Sequence, residues 1–350
     1  QRRDGCQVRR NGGAGTSRAG RIDRMCGQDA TRESYEAVPY ERLVHRFTHP
    51  DRIAVAARFA SLEPPPVGTA RVLELGCASG DNLVGMAYGL PGGTFVGVDL
   101  SERQVAAGRS RVVSLALANV DLRAGDLADV DDAWGEFDYV VAHGVLSWVG
   151  EPVRRRLLEV CAERLSPRGI AFVSWNALPG WRFRALVRDV LLSGAATAES
   201  PSERAARARE RLAFVAENVF EPESPWGRYL AERSAELAGE SDADLLHDYL
   251  EEENQPFGLR EVVGKARAAG LAYVGDAQEP WVADEALAPG TRRVLETLED
   301  PIAREELLDL LRERTLRQGL FVRSDGAARP APEAGRTLLT GLHAAAPPPS

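Results

Sequence analysis

Between residues 51 and 175, short apolar runs alternate with amphipathic stretches. In residues 51–61, Ile53, Ala56, Ala57 and Phe59 recur at helical spacing, and Pro64-Pro65-Pro66 ends the pattern. Arg71-Val72-Leu73-Glu74-Leu75, closed by Gly76, reads as a strand buried on both faces. A helix is expected from about Gly80, then a second strand over 94–98, then a helix from an N-cap at Ser101 to about Ala116. Strand three falls at 120–124 and strand four at 139–142. A helix over 151–165 is closed by Ser166-Pro167-Arg168-Gly169, and strand five occupies 170–175. Such alternation builds a mostly parallel sheet covered on both faces, so the fold class is α/β and Rossmann-like.

Beyond residue 192 the texture changes. Residues 199–257 are helical and charged with no strand pattern; a helix follows over 259–269, capped by Gly270, and an extended run over 271–274. A helical stretch over 291–314 leads to a last extended run over 319–323. The two late runs complete a seven-stranded sheet, and the charged helices form an insertion after strand five. The expected organisation is a disordered or mis-started segment at 1–34, a cofactor-binding core at 35–198, a helical regulatory or lid insertion at 199–257, the remainder of the core at 258–325, and an Ala/Pro-rich mobile tail at 326–350.

Composition narrows the function classes. The 43 basic and 52 acidic side chains leave a net charge of −9, so no global basic field recruits nucleic acid. No apolar run reaches the ~20 residues that span a bilayer, so no membrane partner is expected. Residues 1–24 hold seven Arg against two Asp, a basic tail suited to phosphate. The competing reading makes Met25 the true start, and without an apolar stretch the segment is not a signal peptide. Cys6, Cys26, Cys77 and Cys161 form no paired motif, and the five histidines are scattered, so reduced thiols, a cytoplasmic location and no metal are expected.

The densest chemistry lies in Glu74-Leu75-Gly76-Cys77-Ala78-Ser79-Gly80. A strand ends in an acid, and a turn of small residues then opens a helix, which lets backbone approach a ligand closely. Asp99 ends strand two, nineteen residues after Gly80, where a carboxylate suits two ribose hydroxyls. Asp126 follows strand three, placed to accept from an adenine amino group. A dinucleotide site wants G-x-G-x-x-G and a helix N-terminus aimed at pyrophosphate. Here the spacing is G-x-A-x-G, and Glu74 repels pyrophosphate but suits an ammonium or sulfonium. Any one of these residues is compatible with an ordinary turn or a solvated strand end. Three acids after three successive strands match S-adenosyl-L-methionine.

This set resembles the class I S-adenosylmethionine-dependent methyltransferases over most of 72–175. The resemblance implies that Glu74, Gly76, Ala78 and Gly80 line the methionine end, that Asp99 binds the ribose, that Asp126 and Leu127 flank adenine, and that Leu100 belongs to the same cofactor site. Tyr40 and His143 join the cofactor site by the same likeness, and Ala78 departs from the usual glycine. A narrower resemblance runs from about Tyr35 to Arg323 through Thr48-His49-Pro50, His143-Gly144-Val145-Leu146-Ser147-Trp148, Ser174-Trp175-Asn176, His247-Asp248-Tyr249-Leu250 and Asn254-Gln255-Pro256-Phe257. These are similar to methyltransferases with a "methyltransferase regulatory domain", relatives of bacterial protein-lysine methyltransferases. Longer members continue into a C-terminal domain beyond the point where this sequence ends.

The acceptor is less legible. His143-Gly144-Val145-Leu146 replaces the Asn/Asp-Pro-Pro-aromatic motif of base methylation, which disfavours nucleic acid. His143 reads either as a general base or as a ring packed on the cofactor and hydrogen-bonded to backbone. Trp148, Trp175 and Trp181 read first as core and second as an aromatic wall for a cationic amine. Thr48 or His49 caps a helix, His247-Asp248 is a buried hydrogen-bonded pair, and Glu251-Glu252-Glu253 is a solvated face. The leading expectation is methyl transfer to a protein side chain, lysine first. A small-molecule acceptor or a non-catalytic cofactor-binding protein are the alternatives. The helical insertion is expected to fold over the acceptor side as a lid, against a satellite bundle packed elsewhere.

Overall fold

The computed structural model describes residues 38, 43–278 and 287–325. The segments expected at 1–34 and 326–350, together with Tyr35 and Tyr40, lie outside the described residues. The strands are β1 (Arg71–Leu75), β2 (Thr94–Asp99), β3 (Val120–Ala124), β4 (Phe137–Ala142), β5 (Leu165–Asn176), β6 (Leu271–Asp276) and β7 (Leu316–Arg323). They form one sheet in the order β3-β2-β1-β4-β5-β7-β6. The first five run parallel, while β7 pairs antiparallel with both β5 and β6. The chain builds outward from β1 in one direction through β3, and in the other from β4. The crevice beyond the ends of β1 and β4 is therefore a topological switch point, where such sheets bind ligands.

Helices α1 (Pro50–Phe59), α2 (Asp81–Gly89) and α3 (Glu102–Ser114) cover one face. Ile53, Leu83, Met86 and Val105 pack there on Val72, Phe95, Tyr139 and Phe172. Helix α4 (Glu151–Arg164) and a later helix, α9 (Leu259–Ala268), cover the other, with Leu157, Cys161, Val262 and Ala266 against Leu73, Val98, Val140 and Val173. His49 and Ser101 cap α1 and α3, accepting from the Asp51 and Gln104 amides. That satisfies amides left without partners inside the helix.

Strand five begins at Leu165, five residues before the expected start. Leu165 pairs with Phe137 and Ile170 with Tyr139, so Ser166–Gly169 form an irregularity inside the pairing instead of a turn before it. The expected helix over 291–314 is two, α10 (Pro289–Glu296) and α11 (Pro301–Arg312), because Asp300 caps the second and Pro301 starts it.

The intervening helices are α5 (Trp181–Ala195), α6 (Pro201–Asn218), α7 (Pro225–Leu237) and α8 (Asp242–Leu245), which continues as one π-helical turn over Leu246–Leu250. They share their own core of Val187, Leu191, Ala208, Leu212, Leu230, Leu245 and Tyr249. Buried His247 supports this unit: its Nδ1 lies 2.8 Å from the Glu251 carboxylate, and its Nε2 2.9 Å from the Val38 carbonyl oxygen. Residues 251–257 then return to the sheet. The Gln255 amide donates to the Ser147 carbonyl, the Phe257 amide to Asn176, and Phe257 joins the sheet's core.

Candidate active site at the strand ends

The turn after β1 is shaped by three left-handed residues, Gly76 (φ 75°), Ala78 (φ 49°) and Gly80 (φ 69°). Alternating them turns successive amides inward. Gly76 and Cys77 both donate to the Val98 carbonyl, and the Ala78 amide donates to Asp99 Oδ2 at 2.8 Å. A side chain at 76 would collide with Val145, 2.6 Å from the added carbon. Ala78 holds a conformation that costs an L-residue about 1–2 kcal/mol, which its bond to Asp99 offsets. Gly80 differs from the expectation. It does not line the cavity below but caps α2, where an added carbon would meet Leu122 at 2.7 Å.

A cavity of about 510 Å³ opens at this edge of the sheet. Glu74, Gly76, Ala78, Asp99, Leu100, Asp126, Leu127 and His143 all line it, so eight of the ten expected cofactor residues converge; Gly80 does not line it, and Tyr40 lies outside the described residues. The volume suits a ligand of nucleoside size.

Glu74 is the electrostatic centre. It is buried, its Oε1 accepts from Asn82 Nδ2 at 2.8 Å, and its Oε2 has no hydrogen-bond partner among the described residues. Burial pushes its carboxyl up to about 7, the Asn82 bond draws it back in part, and the Asp99 charge adds to the rise. An acceptor left alone in a buried cavity is costly unless a donor arrives, and an ammonium fits. Asp99 is braced from both sides, Oδ2 by Ala78 and Oδ1 by the Ser101 amide at 2.9 Å. Each carboxylate oxygen accepts more than one bond, so capacity for ribose hydroxyls remains. Asp126 Oδ1 accepts from the Ala128 amide, which fixes the carboxylate beside Leu127. The residues present therefore fit an adenosylated amino acid.

His143 closes the opposite wall. Its Nδ1 is 2.8 Å from Ser174 Oγ, which also accepts from the Gly144 amide at 2.9 Å. Its ring lies 4.2 Å from that of His45 and 4.9 Å from Phe47. Burial, with His45 adding to it, lowers His143 to about 3, so the ring is neutral at neutral pH. A general base works best with a pKa near the operating pH, and this ring lies far below it.

The three tryptophans separate. Trp175 is core against Phe321, Trp148 lines the cavity, and Trp181 packs edge-on against Trp148 while donating to Asn254 Oδ1 at 3.0 Å.

The acidic run is not a uniformly solvated face. Glu251 turns to His247, whereas Glu253 accepts from Arg154 Nη2 at 3.2 Å and lines the cavity. Glu253 is the one lining residue drawn from 199–257. The sequence reading also missed Asn82, Leu43, His45 and Glu151 as lining residues. An asparagine one position into α2, followed by Leu83 and Val84, was the available signal. No Lys or Arg lines the cavity among the described residues, against Glu74, Asp81, Asp99, Asp126, Glu151 and Glu253.

Comparison with known proteins bears on the family. Residues 73–171 match the family model of a methyltransferase domain, and residues 241–323 match that of a predicted methyltransferase regulatory domain. The second span starts in the helical unit and runs through β6 and β7. The chain is 34% identical over 299 residues to an uncharacterised protein of Rickettsia prowazekii, covering 85% of this chain and 54% of that one. A second uncharacterised protein of the same organism is 32% identical over 234 residues, covering 67% of this chain and 94% of that one. The structure of PKMT2 from Rickettsia typhi in complex with AdoHcy matches with a TM-score of 0.74 and 30% identity, over 82% of this chain and 55% of that one. The chain thus spans about half the length of the first relative and of PKMT2.

Proposed function

Because the chain belongs to the S-adenosylmethionine-dependent methyltransferases that carry a methyltransferase regulatory domain, we propose that it methylates a protein side chain, with lysine as the acceptor. The observation that carries this reading is the cavity lining, which holds Asp81, Glu151, Glu253 and Trp148 and, among the described residues, no Lys or Arg. Carboxylates and an aromatic face attract a cationic amine. Similarity to PKMT2, a protein lysine methyltransferase, supports the same acceptor.

When bound, S-adenosylmethionine supplies the methyl group and a sulfonium leaving group. In this proposal Glu74 Oε2 accepts from the cofactor's ammonium, Asp99 from the ribose hydroxyls and Asp126 from the adenine amino group, with Leu100 and Leu127 as apolar flanks. The turn at Gly76 and Ala78 sets the distance from the sheet. Val145 and Trp148 offer apolar surface to the acceptor's alkyl chain, and the amine gives its proton to solvent before it attacks. His143 acts as a neutral wall held by Ser174, and the enzyme's main contribution is orientation.

Asp99→Asn tests the ribose assignment. One backbone amide then faces an NH2 group, and charge-assisted bonds to the ribose are lost, so AdoHcy binding weakens by about 2 kcal/mol, roughly thirtyfold. An unchanged Kd by calorimetry removes Asp99 from the site. For the acceptor, the protein is incubated with methyl-labelled cofactor and cell extract, and the proteins are hydrolysed. Label in Nε-methylated lysine is the expected result, and label confined to small molecules sinks the lysine reading.

A further inference from the structure

Asn82 is buried on α2 and uses its whole amide. Both Nδ2 hydrogens are taken, one by Glu74 Oε1 and one by Thr48 Oγ1, each at 2.8 Å. Its Oδ1 accepts the backbone N–H of His45 at 3.2 Å. Thr48, with no exposed surface, donates its own hydroxyl to the His45 carbonyl at 2.8 Å. Residues 34 and 37 positions apart in the chain are thereby joined behind the cavity. The segment they hold carries Leu43 and His45 into its lining.

We propose that Asn82 is a positioning residue that couples cofactor bound at Glu74 to the segment 43–48, fixing Leu43 and His45 as one wall of the cavity. The inference rests on the reading that Glu74 meets the cofactor's ammonium. The coupling follows from the asymmetry of an amide. An ionised carboxylate only accepts, so beside it the Asn82 NH2 must face Glu74 and the oxygen must face the His45 amide. A protonated Glu74 donates as well as accepts and tolerates the reversed amide, which turns NH2 against the His45 N–H and releases the segment. An ammonium at Glu74 Oε2 holds the carboxylate ionised and selects the first arrangement. Asp99 is the charged group that acts on Glu74 from β2, and Cys77 faces both.

Hydrogen exchange of the intact protein, with and without AdoHcy, reads this directly through the His45 amide. In the parent protein AdoHcy slows exchange both across residues 74–82 and at 45–48. Asn82→Leu removes both links to the segment, the one to Thr48 Oγ1 and the one from the His45 N–H, and leaves the Glu74 carboxylate in place. It should speed exchange at 45–48 about tenfold and abolish the AdoHcy-induced slowing there, while slowing across 74–82 persists. Thr48→Val removes one link only and should reduce the slowing at 45–48 in part, and Thr48→Ser, which keeps the hydroxyl, restores the parent pattern. AdoHcy-induced slowing at 45–48 that is as large in Asn82→Leu as in the parent overturns the coupling and leaves the cofactor's place at Glu74 standing. No slowing across 74–82 in the parent overturns that placement and the coupling with it.

Discussion

Glu74→Gln is expected to yield a protein that is more stable at pH 8 than the parent and binds its cofactor far more weakly. The buried carboxyl titrates at about 7 against an ordinary 4.5, chiefly because burial penalises its charged form. An acid raised in this way favours the fold while protonated. Its contribution is intact below about pH 4.5 and is lost as the pH rises through 7. At roughly 1.4 kcal/mol per pKa unit, the ionised group costs the ligand-free fold about 3 kcal/mol at pH 8. Glutamine removes that cost but buries an NH2 where Glu74 Oε2 has no partner, a loss of about 1–2 kcal/mol. The net gain is about 1–2 kcal/mol at pH 8, and it vanishes or reverses at pH 5.5. Urea unfolding at the two pH values measures it. Affinity moves the other way: a neutral amide facing the cofactor's ammonium costs about 3 kcal/mol, more than a hundredfold in Kd. Unchanged AdoHcy affinity, or a stability difference independent of pH, contradicts the role given to this carboxyl.

Gly76→Val should abolish detectable AdoHcy binding through backbone geometry alone. The φ of 75° is open to glycine and strained for a β-branched residue. The first side-chain carbon would also lie 2.6 Å from Val145 Cγ2, so either the turn or the β4 loop must shift. A shift of that size displaces the Ala78 amide from Asp99 and narrows the cavity that Gly76 lines. We expect a loss of at least a hundredfold in affinity with about 2–3 kcal/mol of destabilisation, the usual cost of overpacking plus left-handed strain. Calorimetry on protein shown to be folded by circular dichroism checks this. Adding Val145→Ala relieves the collision but not the strain, so it recovers part of the stability. Binding within a few-fold of the parent would contradict the turn's assignment.

Sheet and acids were legible from the sequence for the same physical reason. Strand β1 is short and covered on both faces, so its apolar run ends abruptly at Gly76, while the edge strand β3 buries Leu122 between polar Asp121 and Arg123, and 71–75 and 120–124 are recovered to the residue. The start of β5 was not legible, because Pro167 and Gly169 carry turn chemistry that the sheet absorbs as an irregular pairing between Leu165 and Ile170. Glu74, Asp99 and Asp126 were found because strand ends mark them. Asn82, Thr48 and His45 were not, since their meeting depends on how the segment before α1 packs on α2, which no local period encodes. Glu253 was hidden by its neighbours. Three consecutive glutamates look solvated, yet the chain's return to Ser147 and Asn176 sends the first to His247 and the third to Arg154.

The same return ties the helical unit to the sheet. Replacing residues 199–257 would remove Phe257 from the sheet's core and break its pairing with Asn176, so loss of activity there would report on folding. Residues 199–252 contribute nothing to the cavity lining among the described residues, whereas 253 does. The helices reach the cavity through the segment 251–257 and through Trp181 of α5, which packs on Trp148.

The central claim is that this cavity holds the cofactor by its charge pattern, with the amino group at Glu74 and the ribose at Asp99. A crystal structure with AdoHcy tests it most directly. The amino group should lie within hydrogen-bonding distance of Glu74 Oε2, with both ribose hydroxyls on the Asp99 carboxylate. AdoHcy seated elsewhere, or with its amino group on another residue and Glu74 Oε2 still alone, would contradict it.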